Sequence, residues 1–389
     1  MSPVRKYVEA GIVIAAICAV AILMGSVMGP QNLIKTVMET AYDLLMHTVF
    51  YLVAITVIVG AVSAVLIEFG VVAVIEKILS PLMKPIFGLP GVASLGAVMT
   101  FLSDNPAIVS LAKDKGYRSY FKSHQLYSFV NFGTAFGMGL IVISYMIGQG
   151  ANRSGGSGFV GEALLGLAGA FVGGVVATRL MQAFAKRAAG EAEVVPQSEK
   201  VPFDEDKVIK HKDESVFIRF LNALLDGGKS GLDAGLLIIP GVLVISTAVT
   251  LLTNGPQNPF FGYQGKAYEG VPVLPWIGER LKWLFDALFG FTSPEAIAFP
   301  ITSLGAVGAA LGLVPRLLYE NKIGGNDIAV FTAMGMCWSG FLSTHTGMMD
   351  ALGRRDLVGR TILSQTVGGI AAGVAAHYLW MACHSLGWL

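Results

Sequence analysis

The sequence predicts an all-α polytopic membrane protein: about seven full transmembrane helices plus two re-entrant helical hairpins in two inverted repeats. Three observations predict it: a composition too apolar for water, long apolar runs broken in the middle by polar residues, and an order of segments that recurs. Of 389 residues, 54% are hydrophobic and 14% charged. Soluble domains carry about 25% charged residues, so an ordinary water-soluble enzyme is excluded. The formal charge of +1 offers no field to hold a polyanion, which excludes nucleic acid as a partner and leaves the lipid bilayer. Glycine, at 48 residues, suits close helix packing and helices broken inside a membrane. Cys18, Cys337 and Cys383 sit in apolar stretches with no disulfide or zinc spacing.

Residues 1–32 hold an extra N-terminal transmembrane helix. Arg5 and Lys6 precede an apolar run from Gly11 to Met28 with a signal peptide's flanks but no clear cleavage site, and the run is long enough to span. Residues 33–184 form the first repeat. An amphipathic lead, Leu33 to His47, feeds a span from Val49 to Ile67; Asp43, His47 and Glu68 read as solvated interface residues. In Val71 to Phe87, the charges of Glu76, Lys77 and Lys84 alternate with apolar residues at helical spacing, as in a helix lying along the interface. The hairpin covers about 91–112, where Ser103-Asp104-Asn105-Pro106 divides an apolar stretch into arms of roughly ten residues. At ~1.5 Å rise per residue, neither arm crosses ~30 Å of hydrocarbon, so the chain re-enters. Spans follow from Leu126 to Ile147 and from Phe159 to Phe184, and residues 185–214 form a charged, aromatic-poor linker.

Residues 215–389 repeat the order. They hold a lead (Val216 to Leu225), a span (Leu236 to Leu252), an interfacial segment (Trp276 to Phe289), a hairpin at about 293–318, and spans from Ile328 to Met349 and Thr361 to Cys383. Ser94-Leu95-Gly96-Ala97-Val98 recurs as Ser303-Leu304-Gly305-Ala306-Val307, an offset of 209 residues that also maps Pro106 onto Pro315 and Gly116 onto Gly325. A repeat of this kind is a transporter signature. With three crossings in each repeat, the two copies face opposite ways. Placing the N-terminus and the 185–214 linker in the cytoplasm and the C-terminus outside puts twenty basic residues inside and seven outside, as the positive-inside rule requires.

Inverted repeats with discontinuous helices place binding sites near the midplane, where helix ends expose backbone groups. The first tip is the sharpest candidate: Ser103, Asp104 and Asn105 precede the proline that restarts the helix. Capping alone accounts for Asp104, but a carboxylate at membrane depth is costly enough to demand a partner or a task. Ser293-Pro294-Glu295 likewise fits a helix start, and Thr302 and Ser303 add hydroxyls able to face a cavity. Asn131, Ser343 and His345 are hydrogen-bonding side chains in apolar spans and need satisfied partners. His345 lacks the companions of a metal site and suits a proton-sensitive or solute-contacting role, its ordinary pKa lying at about 6.5. Gln365, with Ser364 and Thr366, could line the cavity from the last span, although helix packing is the simpler use. No catalytic triad, phosphate loop or cofactor fingerprint is present, so the chain is not read as an enzyme.

Phe101-Leu102-Ser103-Asp104-Asn105-Pro106-Ala107-Ile108, after the Ser-Leu-Gly-Ala-Val run, resembles the nucleoside-recognition or Gate domain. That domain is shared by concentrative nucleoside transporters, ferrous iron transporter membrane domains and spore-maturation-type proteins. The likeness spans roughly Leu44 to Cys383 and is greatest to a bacterial branch with two Gate units per chain. It implies a bacterial inner-membrane protein that forms homo-oligomers and moves a small-molecule solute, such as a nucleoside, by alternating access. Asp104 and Asn105 would hold solute or a coupling Na+ or H+, with Glu295, Thr302 and Ser303 serving the second hairpin and Asn131, Ser343 and His345 completing the cavity. Ferrous iron transporters carry a cysteine near the tip where this chain has Ser103 and Asp104. Two other readings stay open: a metal-ion carrier or channel using Asp104, Glu295 and His345, and a non-transporting scaffold of spore-maturation type.

Overall fold

The computed structural model describes residues 3–104, 106–150, 158–194 and 213–388; Asn105, Arg153 and most of the 185–214 linker lie outside the described residues. Backbone groups in hydrocarbon must be satisfied internally, and every long apolar run becomes helix. Six helices among the described residues are long and apolar enough to cross a bilayer: Tyr7–Met28, Pro30–Glu68, Ser123–Gln149, Val160–Ala189, Val216–Thr253 and Arg355–Ser385. The remaining expected span, 328–349, is interrupted. Helices Gly325–Cys337 and Phe341–Ala351 flank a turn in which Gly340 is left-handed, at φ 73°. Ser123–Gln149 carries a matching interruption between Ser123–Thr134 and Gly139–Gln149, where Met138 takes φ 53°.

Each expected lead is fused to its span. Pro30–Glu68 runs through a π-helical segment at Leu44–Val49, and Val216–Thr253 through one at Val242–Ser246. At ~1.5 Å per residue each helix is about 57 Å long, roughly twice the hydrocarbon thickness, so it must tilt or project. The two lie antiparallel in close contact, with Gly60 against Gly227 and Gly231 and with Thr56 against Gly231 and Gly235. Glu68, expected at a solvated interface, is instead buried and holds Arg219 Nε at 2.9 Å, joining the two helices at one end. Toward the other end, Tyr268 in the loop after Thr253 donates its hydroxyl to Asp43 Oδ2 (2.6 Å) and its amide to Thr40 Oγ1 (2.8 Å). Val160–Ala189 and Val358–Ser385 form a second antiparallel pair, with Gly169 facing Ala372 and Ala376 and Gly173 facing Gly368.

Equivalent elements of the two halves therefore pack on each other. Their correspondence differs from the literal repeat in the sequence. Left-handed Gly88 and Gly290 end the segments Met83–Phe87 and Lys282–Phe289, and Ser123 and Gly325 begin the broken helices, both pairs 202 residues apart. The Ser-Leu-Gly-Ala-Val copies are out of register with this. Ser94 lies in the opening turn of Ala93–Leu102, whereas Ser303 lies in the last turn of Ala298–Gly305. Pro106 opens a hairpin arm, while Pro315 falls in a separate short helix, Val314–Tyr319. Small residues recur in both hairpins because both are tightly packed, so a five-residue match need not mark equivalent positions.

Candidate functional site

Two helical hairpins and two broken helices meet at the centre. The first hairpin is Ala93–Leu102 and Pro106–Lys113; the second is Pro294–Gly305, beginning as a 3-10 turn at Pro294–Ile297, followed by Val307–Leu311 and Val314–Tyr319. Their arms are too short to cross hydrocarbon. The first hairpin leans on the first broken helix: Thr100 Oγ1 lies 3.0 Å from the Gly133 carbonyl oxygen, Ile108 fills the space beside Gly133, and Phe101 packs on Gly139. In the second, the chain turns at Ala306, whose backbone is extended, and the Ser303 carbonyl accepts the Gly340 amide at 3.2 Å. Each hairpin tip therefore abuts the break of its own repeat's helix.

The broken helices pack against each other at their breaks, Cys337 Sγ approaching the Ala135 carbonyl oxygen at 3.7 Å. Beyond the break, each reaches the other repeat's hairpin. Tyr145 donates to the Leu311 carbonyl at 3.0 Å, and Phe341–Ala351 packs against Pro106–Lys113. Backbone groups freed at a helix break are orphan donors and acceptors, and here four such discontinuities converge.

The expected site residues fall into three environments. Ser103 closes its helix at φ −135° and is exposed, and Asp104 beside it is half-buried, its carbonyl accepting the Ala107 amide at 3.1 Å. Ser343 is exposed on Phe341–Ala351, its hydroxyl bonded to the Gly340 carbonyl at 3.2 Å. Asn131 and His345 are fully buried and belong to one network. Asn131 Nδ2 donates to the Thr361 carbonyl and to Gln365 Oε1, both at 2.9 Å. Thr134, one turn on, gives its hydroxyl hydrogen to Val130 and lies 3.0 Å from His345 Nε2. With the Thr134 hydrogen directed to Val130, His345 Nε2 is the donor of that contact.

Thr302 and Ser303 are buried, and their hydroxyls bond back into their own helix, to Ala298 at 2.7 Å and Pro300 at 2.9 Å. Glu295 sits at the base of its hairpin, paired with Lys322 Nζ at 2.5 Å. Among the described residues, no three His, Cys, Asp or Glu side chains converge as metal ligands, so Asp104, Glu295 and His345 do not form one donor set. Sequence reasoning passed over Thr134 and Thr361 and read Gln365 as a packing residue. Their signal was polarity inside an apolar helix, which packing alone also explains.

These elements define a polytopic membrane protein whose two halves each carry a hairpin against a broken helix. Residues 49–150 match the Gate family model, described as nucleoside recognition. Over nearly the whole chain the fold is similar to that of CNTnw. A substituted form of CNTnw in its intermediate 1 state gives a TM-score of 0.55 at 15% sequence identity, covering 97% of this chain and 88% of that one. A doubly substituted form in an outward-facing state gives 0.53 at 15% identity, covering 98% and 87%. No curated protein matches the sequence.

Proposed function

We propose that the protein is a secondary-active transporter of a small polar solute of nucleoside type, working by alternating access through two inverted repeats with re-entrant hairpins. The observation that carries this reading is the convergence of two hairpin tips with the breaks of two helices, within a fold similar to that of CNTnw in outward-facing and intermediate states. Antiparallel packing of equivalent helices is what a twofold axis in the membrane plane requires, and it supports opposite orientation of the repeats. The N-terminus and linker would then be cytoplasmic and the C-terminus outside.

In this reading the exposed and half-buried groups Ser103, Asp104 and Ser343, together with their chain neighbour Asn105, meet solute or the coupling Na+ or H+. Asn131 and His345, already bonded to protein, shape the cavity from behind, and the Ser303 backbone carbonyl holds the second tip against Gly340. Glu295 anchors the base of its hairpin through Lys322. Solute bound between tips and breaks would release from whichever side the hairpins open, and two pseudo-equivalent halves supply two such openings. A thermal-stability screen of purified protein against nucleosides, nucleobases, amino acids and divalent metals, with and without sodium and at two pH values, tests the class. A saturable rise in melting temperature with nucleosides, lost in Asp104→Asn, is expected. A response to metals alone would replace this reading with an ion pathway.

A further inference from the structure

Gln365 stands on the last span, Val358–Ser385, outside both hairpins and both broken helices. Each broken helix is nonetheless bonded to it beside its break. Asn131, in the last turn of Ser123–Thr134, donates Nδ2 to Gln365 Oε1 at 2.9 Å, and Gln365 Nε2 donates at 2.7 Å to the carbonyl of Cys337, the last residue of Gly325–Cys337. Trp338, the first residue of the second break, donates Nε1 to the Gln365 backbone carbonyl at 3.1 Å. The Cys337 carbonyl is available because its helix stops there. A fully buried amide used only as filler would cost more than a leucine of similar volume, whereas one bonded to two separate helices fixes their spacing.

We propose that Gln365 is a positioning residue that sets the two breaks relative to each other, so that the half-site of each hairpin tip is registered against the other. Its effect on solute rests on the transporter reading; its effect on the breaks rests on the hydrogen bonds alone. Hydrogen–deuterium exchange separates the two. In Gln365→Leu, amides at 135–138 and at 338–340 should both exchange at least about tenfold faster, the factor expected for one lost hydrogen bond. Melting should stay within a few degrees of the parent, and solute KM should rise by a similar factor at little-changed maximal rate. Should Gln365→Leu not fold, Asn131→Ala serves: it removes only the first arm yet must also loosen 338–340. Faster exchange confined to one break, or at neither, overturns the proposal. A parent protein that moves no solute would sink the transporter reading, and the exchange result would still decide the role of Gln365.

Discussion

Asn131 shows most directly what a polar residue inside an apolar helix demands. Its amide satisfies a carbonyl and a second amide on the last span, so Asn131→Ala leaves Gln365 Oε1 without its donor. A loss of about 1–3 kcal/mol is expected, the usual cost of an orphaned buried group, read as a lower melting temperature in detergent; an unchanged melting curve would contradict the network. Asp104→Asn belongs to the other kind. Asp104 is half-buried at a tip, so its replacement by the near-isosteric asparagine should remove solute or cation affinity. The need of Asn131 and His345 for partners was legible in sequence, because an unpaired polar atom in hydrocarbon is costly. The partners were not: Gln365 lies 234 residues from Asn131, and nothing local distinguishes a bonding glutamine from a packing one. Thr302 and Ser303 show the converse, since a hydroxyl that looks available can be taken up by its own helix.

At the level of elements, small residues decide how closely the helices approach. A Cβ at Gly231 would fall 2.7 Å from the Thr56 carbonyl carbon and 2.8 Å from Val57 Cα, whereas at Gly359 it would meet nothing within 4 Å. Gly231→Ala should therefore cost about 1–3 kcal/mol by overpacking, and Gly359→Ala should be neutral or stabilising through helix propensity. Circular dichroism melts of the pair check this, and equal losses would contradict the seam. The first hairpin was legible because Ser103-Asp104-Asn105-Pro106 cannot continue a helix. The breaks at 135–138 and 338–340 were not, for they contain no proline and rest on Met138 and Gly340 in the left-handed region. Tertiary contact with the hairpins accompanies those turns, and glycine is too frequent in these helices for Gly340 to mark a break by itself. The tip of the second hairpin, Gly305 and Ala306, likewise lacks any polar mark.

For the whole molecule, composition and apolar run length were enough to place the chain in a membrane, and segment order exposed two similar halves. Their register came from structure, because small-residue runs recur wherever helices pack closely. Opposite orientation of the halves predicts that a reporter at the N-terminus is accessible only from the cytoplasm and one at the C-terminus only from outside; both on one side would break the inverted arrangement. The most direct test of the central claim is uptake of a radiolabelled nucleoside into proteoliposomes under an imposed sodium gradient and, separately, an imposed proton gradient. Saturable accumulation above the external concentration under one of the gradients, abolished in Asp104→Asn, is the predicted result. Uptake equal to that of protein-free liposomes for every nucleoside and gradient would contradict it.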